Sequence, residues 1–137
     1  MEPIKLIELA IEAREHAYVP YSKFAVGAAL LTREGKVYQG CNIENASYGA
    51  TNCAERTAFF RAIYDGERDF TAIAIVGGPA GAPISELCAP CGICRQVMAE
   101  FCKPDFKIYL SKGDGKVVES SLTNMLPFSF TKDDLGV

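Results

Sequence analysis

The chain has 137 residues, 49% of them hydrophobic and 23% charged, which is the size of one domain and too apolar for a disordered segment. A net charge of −3 argues against a partner as densely anionic as a nucleic acid polymer, which calls for a basic face. No apolar run approaches the roughly 18 residues of a membrane span, and MEPIKLIEL lacks the basic start and unbroken apolar stretch of an export signal, so neither is expected.

Between Ile4 and Tyr18 the residues Ile4, Ile7, Ala10, Ile11, Ala17 and Tyr18 recur at helical spacing with glutamates between them, and Pro20 follows, so an amphipathic helix is predicted. Phe24 to Thr32 (FAVGAALLT) reads as a buried strand, Glu34-Gly35 as a tight turn and Val37 to Cys41 as the return strand of a hairpin. Asn42 to Asn52 (NIENASYGATN) is a polar loop too long and too rich in asparagine for a plain connector. A helix is predicted over Cys53 to Tyr64, with Asn52 as N-cap and Gly66 as stop. Thr71 to Val76 (TAIAIV) is a second buried strand, and GGPAGAP, without the lysine of a phosphate-binding loop, reads as a flexible connection. Gly92 to Phe101 is predicted helical, Phe106 to Leu110 a strand, Gly113-Asp114-Gly115 a turn and Lys116 to Glu119 the last strand. A short helix over Leu122 to Leu126 ends at Pro127. The order αββαβαββα predicts a mixed sheet with helices on both faces, and the βαβ unit from Thr71 to Leu110 predicts one parallel strand pair.

Six cysteines and a single histidine, His16, shape the candidate chemistry. Without an export signal the compartment is expected to be reducing, so grouped cysteines point to a metal or to catalytic thiols rather than to bridges. NCAERTA and PCGICRQ each put cysteine at the mouth of a helix, where the positive end of the dipole and free N–H groups favour thiolates. Cys91 and Cys94 have pincer spacing, and Cys53 supplies a third ligand, leaving a fourth zinc position open for water as catalytic sites require. Zinc with three thiolates carries a net charge of −1, and Arg56 and Arg95, each close behind a candidate ligand, can donate to the sulfurs and withdraw charge. Glu55, in the first turn after Cys53, is the candidate proton carrier beside that water. Cys88 leaves an alternative open, because four thiolates would close the shell into a structural site. Against it stand the position of Cys88 ahead of Ala89-Pro90, in the loop before the helix, and the absence of a purpose for Glu55 at a closed site. Cys41 reads as a strand residue and Cys102 as a core residue at a helix end.

CAER and PCGICRQ, preceded by NIENASYG, closely resemble the short, zinc-dependent cytidine deaminases that act on free nucleosides. The resemblance runs over nearly the whole chain, from PYSKFAVGAAL through CNIENASYG to the terminal LPFSF, and matches the three-cysteine form of the zinc deaminase signature. It implies a three-layer α/β/α sandwich around a five-stranded mixed sheet, a single catalytic domain over residues 1–137, and one zinc per chain. It further implies hydrolytic deamination of cytidine and deoxycytidine to uridine and deoxyuridine, as in cytoplasmic pyrimidine salvage, with no nucleic acid polymer or membrane as partner. By the same resemblance Asn42 and Glu44 hydrogen-bond the ribose hydroxyls, Phe24 packs on the pyrimidine, and the Ala54 N–H meets the base carbonyl. Ala46 and Tyr48 would reach a neighbour's nucleoside and Phe130 would close over the base from another subunit of a homotetramer, so that active sites are shared. The rival readings are an aminohydrolase for a modified cytosine nucleoside such as blasticidin S, against which Glu44 argues, a polynucleotide deaminase, and a non-enzymatic four-cysteine zinc module.

Overall fold

The computed structural model describes residues 1–137. In chain order the elements are α1 (Pro3–Arg14), β1 (Phe24–Thr32), β2 (Val37–Cys41), α2 (Ala54–Tyr64), β3 (Phe70–Pro79), α3 (Gly92–Phe101), β4 (Lys107–Leu110), β5 (Val118–Ser121) and α4 (Leu122–Met125), with 3₁₀ turns at Tyr48–Ala50 and Lys132–Leu135. The strands form one sheet in the order β2-β1-β3-β4-β5. As the βαβ reading requires, β3 and β4 are parallel; the other neighbours are antiparallel. No helix is long and apolar enough to cross a membrane.

Alternation along β3 explains why its sequence is apolar without interruption. Ala72, Ala74 and Val76 pack with Leu6, Ile7 and Ala10 of α1, whereas Ile73 and Ile75 belong to the larger core with Ala58 and Phe59 of α2 and Met98 of α3. A strand covered on both faces needs side chains of both parities to be apolar. The result is the expected three-layer sandwich, with α1 on one face and α2 and α3 on the other. Two glycines let the layers approach. A Cβ on Gly27 would lie 2.0 Å from the Ala10 carbonyl oxygen of α1, and one on Gly40 would lie 2.4 Å from the Ala54 oxygen, at the start of α2.

Several boundaries differ from the sequence reading, each for a tertiary reason. Helix α1 stops at Arg14 instead of continuing to Tyr18. The Arg14 side chain turns beneath the sheet, where Nε donates to the Ala25 oxygen at 3.0 Å and the guanidinium donates to Gly78 and Pro79 oxygens at 3.1 and 2.6 Å. Tyr18 instead pairs with the polar loop, its N–H donating to the Asn42 oxygen at 3.0 Å and its oxygen accepting from the Glu44 N–H at 2.9 Å. The first part of GGPAGAP is strand and not connector, because Gly77, Gly78 and Pro79 stay in register with Val26, Ala25 and Phe24 of β1. The N-cap of α2 is Cys53 rather than Asn52, whose side chain donates to Thr57 Oγ1 at 3.0 Å. Strand β5 begins at Val118, later than the expected Lys116, and α4 ends at Met125.

Because the atoms facing Gly27 and Gly40 are backbone, neither site can yield by a rotamer change. Gly27→Ala and Gly40→Ala are each expected to destabilise the fold by about 1–3 kcal/mol, the usual cost of forcing extra volume into a packed interior, seen as a lower midpoint in urea denaturation.

Candidate metal centre and active site

The N-termini of α2 and α3 converge, and three sulfurs meet between them. Cys53 is the N-cap of α2, Cys91 is the N-cap of α3, and Cys94 lies buried in the first turn of α3. Their Sγ atoms all lie within 4.8 Å of one another, with Cys53 to Cys91 at 3.7 Å and Cys91 to Cys94 at 3.5 Å. Sulfurs sharing one tetrahedral zinc, each about 2.3 Å from the metal, sit roughly 3.8 Å apart, so the donor set and its spacing fit that ion. The Arg56 guanidinium donates to Cys53 Sγ at 3.3 Å, while Arg56 Nε is buried without an acceptor. An orphaned buried N–H of this kind costs about 1–3 kcal/mol, and anionic thiolates on a metal would supply the acceptor.

Proton affinities are shifted at the site. Hydrogen bonding from the Cys94 thiol, and then from Arg56, holds Cys53 well below the usual thiol value. Cys94 is raised in turn, first by sharing its proton with Cys53 and then by burial. Glu55 follows Ala54 in the first turn of α2, only 4% exposed, and burial pushes its carboxyl up to about 7. A carboxyl that holds and releases a proton near neutrality is suited to proton transfer at neutral pH.

The remaining cysteines stand apart from this cluster. Cys88 packs against the larger core and over Gly77, where an added Cβ would approach its Sγ to 2.7 Å, and burial raises its thiol to about 11. Cys102 caps the C-terminus of α3 against the same core, and Cys41 ends β2 half-buried. Arg95 does not donate to a sulfur. Its Nε bonds the Pro90 oxygen at 2.8 Å and its terminal nitrogen the Met125 oxygen at 2.7 Å, so its reach is taken up by the loop before α3 and the end of α4.

The polar loop borders the start of β1. Asn42 Oδ1 accepts from the Val26 N–H and its Nδ2 donates to the Phe24 oxygen, both at 2.9 Å. The Glu44 carboxylate accepts from the Tyr21 and Ser22 N–H groups at 3.0 and 3.1 Å and from the Ser22 hydroxyl. Phe24 is 41% exposed, and Ala54, fully buried, opens α2. The first N–H groups of any helix have no partner within it, which leaves that of Ala54 free to donate elsewhere. Ala46 is exposed, Tyr48 is exposed with its ring edge-on to Tyr21 at 6.1 Å, and Phe130 is 61% exposed. None of these three reaches the sulfur cluster through a hydrogen bond of its own chain; Gln96 Nε2 holds the Phe130 backbone oxygen at 2.7 Å.

Sequence reasoning passed over Arg14, Ser22, Thr57 and Gln96. Thr57 Oγ1 donates to the Cys53 oxygen at 3.2 Å and accepts from Asn52, thereby fixing the start of α2. A signal did exist for Arg14, which falls on the apolar stripe of α1 with Ile7 and Ala10, where a charge needs internal partners.

The chain is similar to known proteins along most of its length. Residues 2–110 match the family model described as the cytidine and deoxycytidylate deaminase zinc-binding region. The chain is 53% identical to a cytidine deaminase of Sporosarcina psychrophila, over 99% of this chain and 96% of that protein. It is also 53% identical to a cytidine deaminase of Halalkalibacterium halodurans, over 99% of each. The fold superposes on the crystal structure of a cytidine deaminase from Burkholderia pseudomallei with a TM-score of 0.85 and 52% identity, covering 95% of this chain and all of that one. With a zinc-compatible thiol triad at the mouths of α2 and α3 and this likeness along its length, the chain belongs to the zinc-dependent cytidine and deoxycytidylate deaminase family.

Proposed function

We propose that the chain hydrolyses the C4 amine of cytidine and deoxycytidine, giving uridine or deoxyuridine and ammonia, and that residues 1–137 form one catalytic domain. The observation that carries this reading is the placement of the buried carboxyl of Glu55 in the same helical turn that begins at Cys53, next to the three converging thiols. Cys53, Cys91 and Cys94 would hold zinc, which would supply Lewis acidity toward the attacking water. Glu55 takes one proton from the attacking water and places it on ring N3; it then moves the remaining proton of the new C4 hydroxyl to the amine, so that the C4–N bond breaks, ammonia leaves and the C4 carbonyl of uridine forms. Arg56 offsets the negative charge on the sulfurs through its bond to Cys53. The Ala54 N–H donates to the base carbonyl and the exposed ring of Phe24 packs on the pyrimidine.

Asn42 and Glu44 bind the sugar. Asn42 uses one N–H and one acceptor position on the β1 backbone, which leaves its second N–H for a hydroxyl. An ordinary ribose suits this pair better than the elaborated sugar of a modified nucleoside. Ala46, Tyr48 and Phe130 are exposed in the isolated chain, which supports their acting on a neighbour's nucleoside in a homotetramer. Exposed Phe60 and Tyr64 on α2 add apolar surface for such an assembly. Six free cysteines, three of them at the metal site, suit the reducing cytoplasm.

The direct test is the ultraviolet absorbance change on adding cytidine or deoxycytidine to the purified protein, and no change with either would overturn the reading. Metal analysis should find one zinc per chain, lost in Cys53→Ala, Cys91→Ala and Cys94→Ala and kept in Cys88→Ala, because Cys88 points its thiol at Gly77 and the core. Glu55→Gln should retain zinc and fold while turnover falls by at least about 10²–10⁴-fold, the range of general acid–base catalysis. For the shared site, Phe130→Ala should weaken nucleoside use with zinc content unchanged. Mixed tetramers of Glu55→Gln and an inactive Phe130→Trp should recover activity, since an intact Glu55 then meets an intact Phe130 from another chain. Hybrid tetramers that stay inactive would place Phe130 within its own chain's site.

A further inference from the structure

The carboxylate of Glu44 is already heavily engaged before any substrate arrives. An ionised carboxylate offers about four acceptor positions. Two on Oε1 are filled by the N–H groups of Tyr21 and Ser22, and one on Oε2 is filled by the Ser22 hydroxyl. That same hydroxyl accepts the Phe24 N–H at 3.0 Å. One side chain therefore ties the sugar-reading residue to the backbone of the residue assigned to the base. The segment is bent to allow this. Lys23, between them, has φ 57°, a left-handed conformation that non-glycine residues seldom adopt. It is secured on both sides, its N–H donating to Val19 at 3.1 Å and its oxygen accepting from Ala80 at 2.7 Å. The Ser22 hydroxyl, with the two N–H groups behind it, also holds the Glu44 carboxyl below its ordinary value, so the group stays an acceptor.

We propose that Ser22 is a positioning and specificity-determining residue: it fixes the Glu44 carboxylate with a single acceptor position left on Oε2, so that Glu44 reads one sugar hydroxyl and not two. This rests on the nucleoside deamination proposed above. One of the two ribose hydroxyls is then recognised through Glu44, and the other is dispensable to it. Removing the Ser22 hydroxyl frees a second acceptor position and leaves Oε2 without its anchor, which blurs the choice between the two. The Lys23 backbone keeps its bonds to Val19 and Ala80, while the Phe24 N–H loses its acceptor.

The test compares kcat and KM for cytidine, 2′-deoxycytidine and 3′-deoxycytidine in the zinc-loaded parent, Ser22→Ala, Ser22→Thr and Glu44→Ala. In the parent, one deoxy analogue should lose roughly tenfold or more in kcat/KM, the scale of a hydrogen bond to a charged group, and the other should be used nearly as well as cytidine. Ser22→Ala should raise KM for cytidine with kcat close to the parent's and should narrow the gap between the two analogues; Ser22→Thr, which keeps the hydroxyl, should restore both. A parent that suffers equally from loss of either hydroxyl, with both penalties vanishing in Glu44→Ala where Asn42 is intact, would overturn the single-position claim. So would a Ser22→Ala protein that loses the same factor on all three substrates, since that is the mark of a purely structural role. The outcome in which Glu44→Ala is impaired and Ser22→Ala matches the parent removes the Ser22 assignment alone. A Glu44→Ala protein that uses cytidine as the parent does removes the sugar-reading role itself, and a parent inert toward cytidine removes the reaction.

Discussion

Three sulfurs held within 4.8 Å of one another at the meeting point of two helix N-termini are the constraint around which this molecule is arranged. Thiolates so close repel one another, and the fold answers with positive potential from several sources. The helix dipoles and first-turn N–H groups of α2 and α3 point at the cluster. Arg56 donates to Cys53. A divalent cation is the remaining and largest part of the compensation, and the spacing of the sulfurs suits zinc. Hydrogen bonding from Cys94 and Arg56 holds Cys53 low, and Cys94 is raised.

Close packing of the layers makes this convergence possible. Helix α2 begins directly over Gly40, where even a methyl group would collide with the Ala54 carbonyl. The start of the helix is further fixed by Thr57, which bonds back to the Cys53 oxygen and is itself held by Asn52. Asn52 in turn pairs through its backbone with Ile43 in the polar loop. The thiol site and the loop proposed to bind sugar are thus joined by a short run of hydrogen bonds at one end of the sheet.

Arg14 serves the opposite layer in a similar way. It carries a positive charge under the sheet with no acidic partner and satisfies it with the carbonyls of Ala25, Gly78 and Pro79. These residues lie at the start of β1 and the end of β3, beside Phe24. A helix on one face therefore steadies the strand ends next to which the nucleoside is proposed to bind. Hydrogen bonds from a charged donor to buried carbonyls are stronger than neutral ones, and removing such a donor leaves the carbonyls unpaired.

Much of this was legible in the sequence because it depends on local periodicity and on spacing along the chain. Apolar runs announced β1 and β3, turn residues announced β2 and β5 as return strands, the βαβ spacing announced the parallel pair, and cysteines at two helix mouths announced the thiol cluster and the carboxyl beside it. The loop Asn42 to Asn52 stood out by composition alone. What the sequence left open concerns partners distant along the chain. Whether GGP was strand or connector depended on β1 continuing beside it. Whether Tyr18 ended a helix depended on Asn42 and Glu44 claiming its backbone groups. The two arginines behind the cysteines have the same side chain and similar spacing, yet Arg56 turns to Cys53 while Arg95 is drawn to Pro90 and Met125. Residue type and spacing determined which chemistry the chain can perform; only the packing of α2, α3 and the β1 edge decided which groups are free for it, because a hydrogen-bonding group can be assigned a role only once its competing partners are in place.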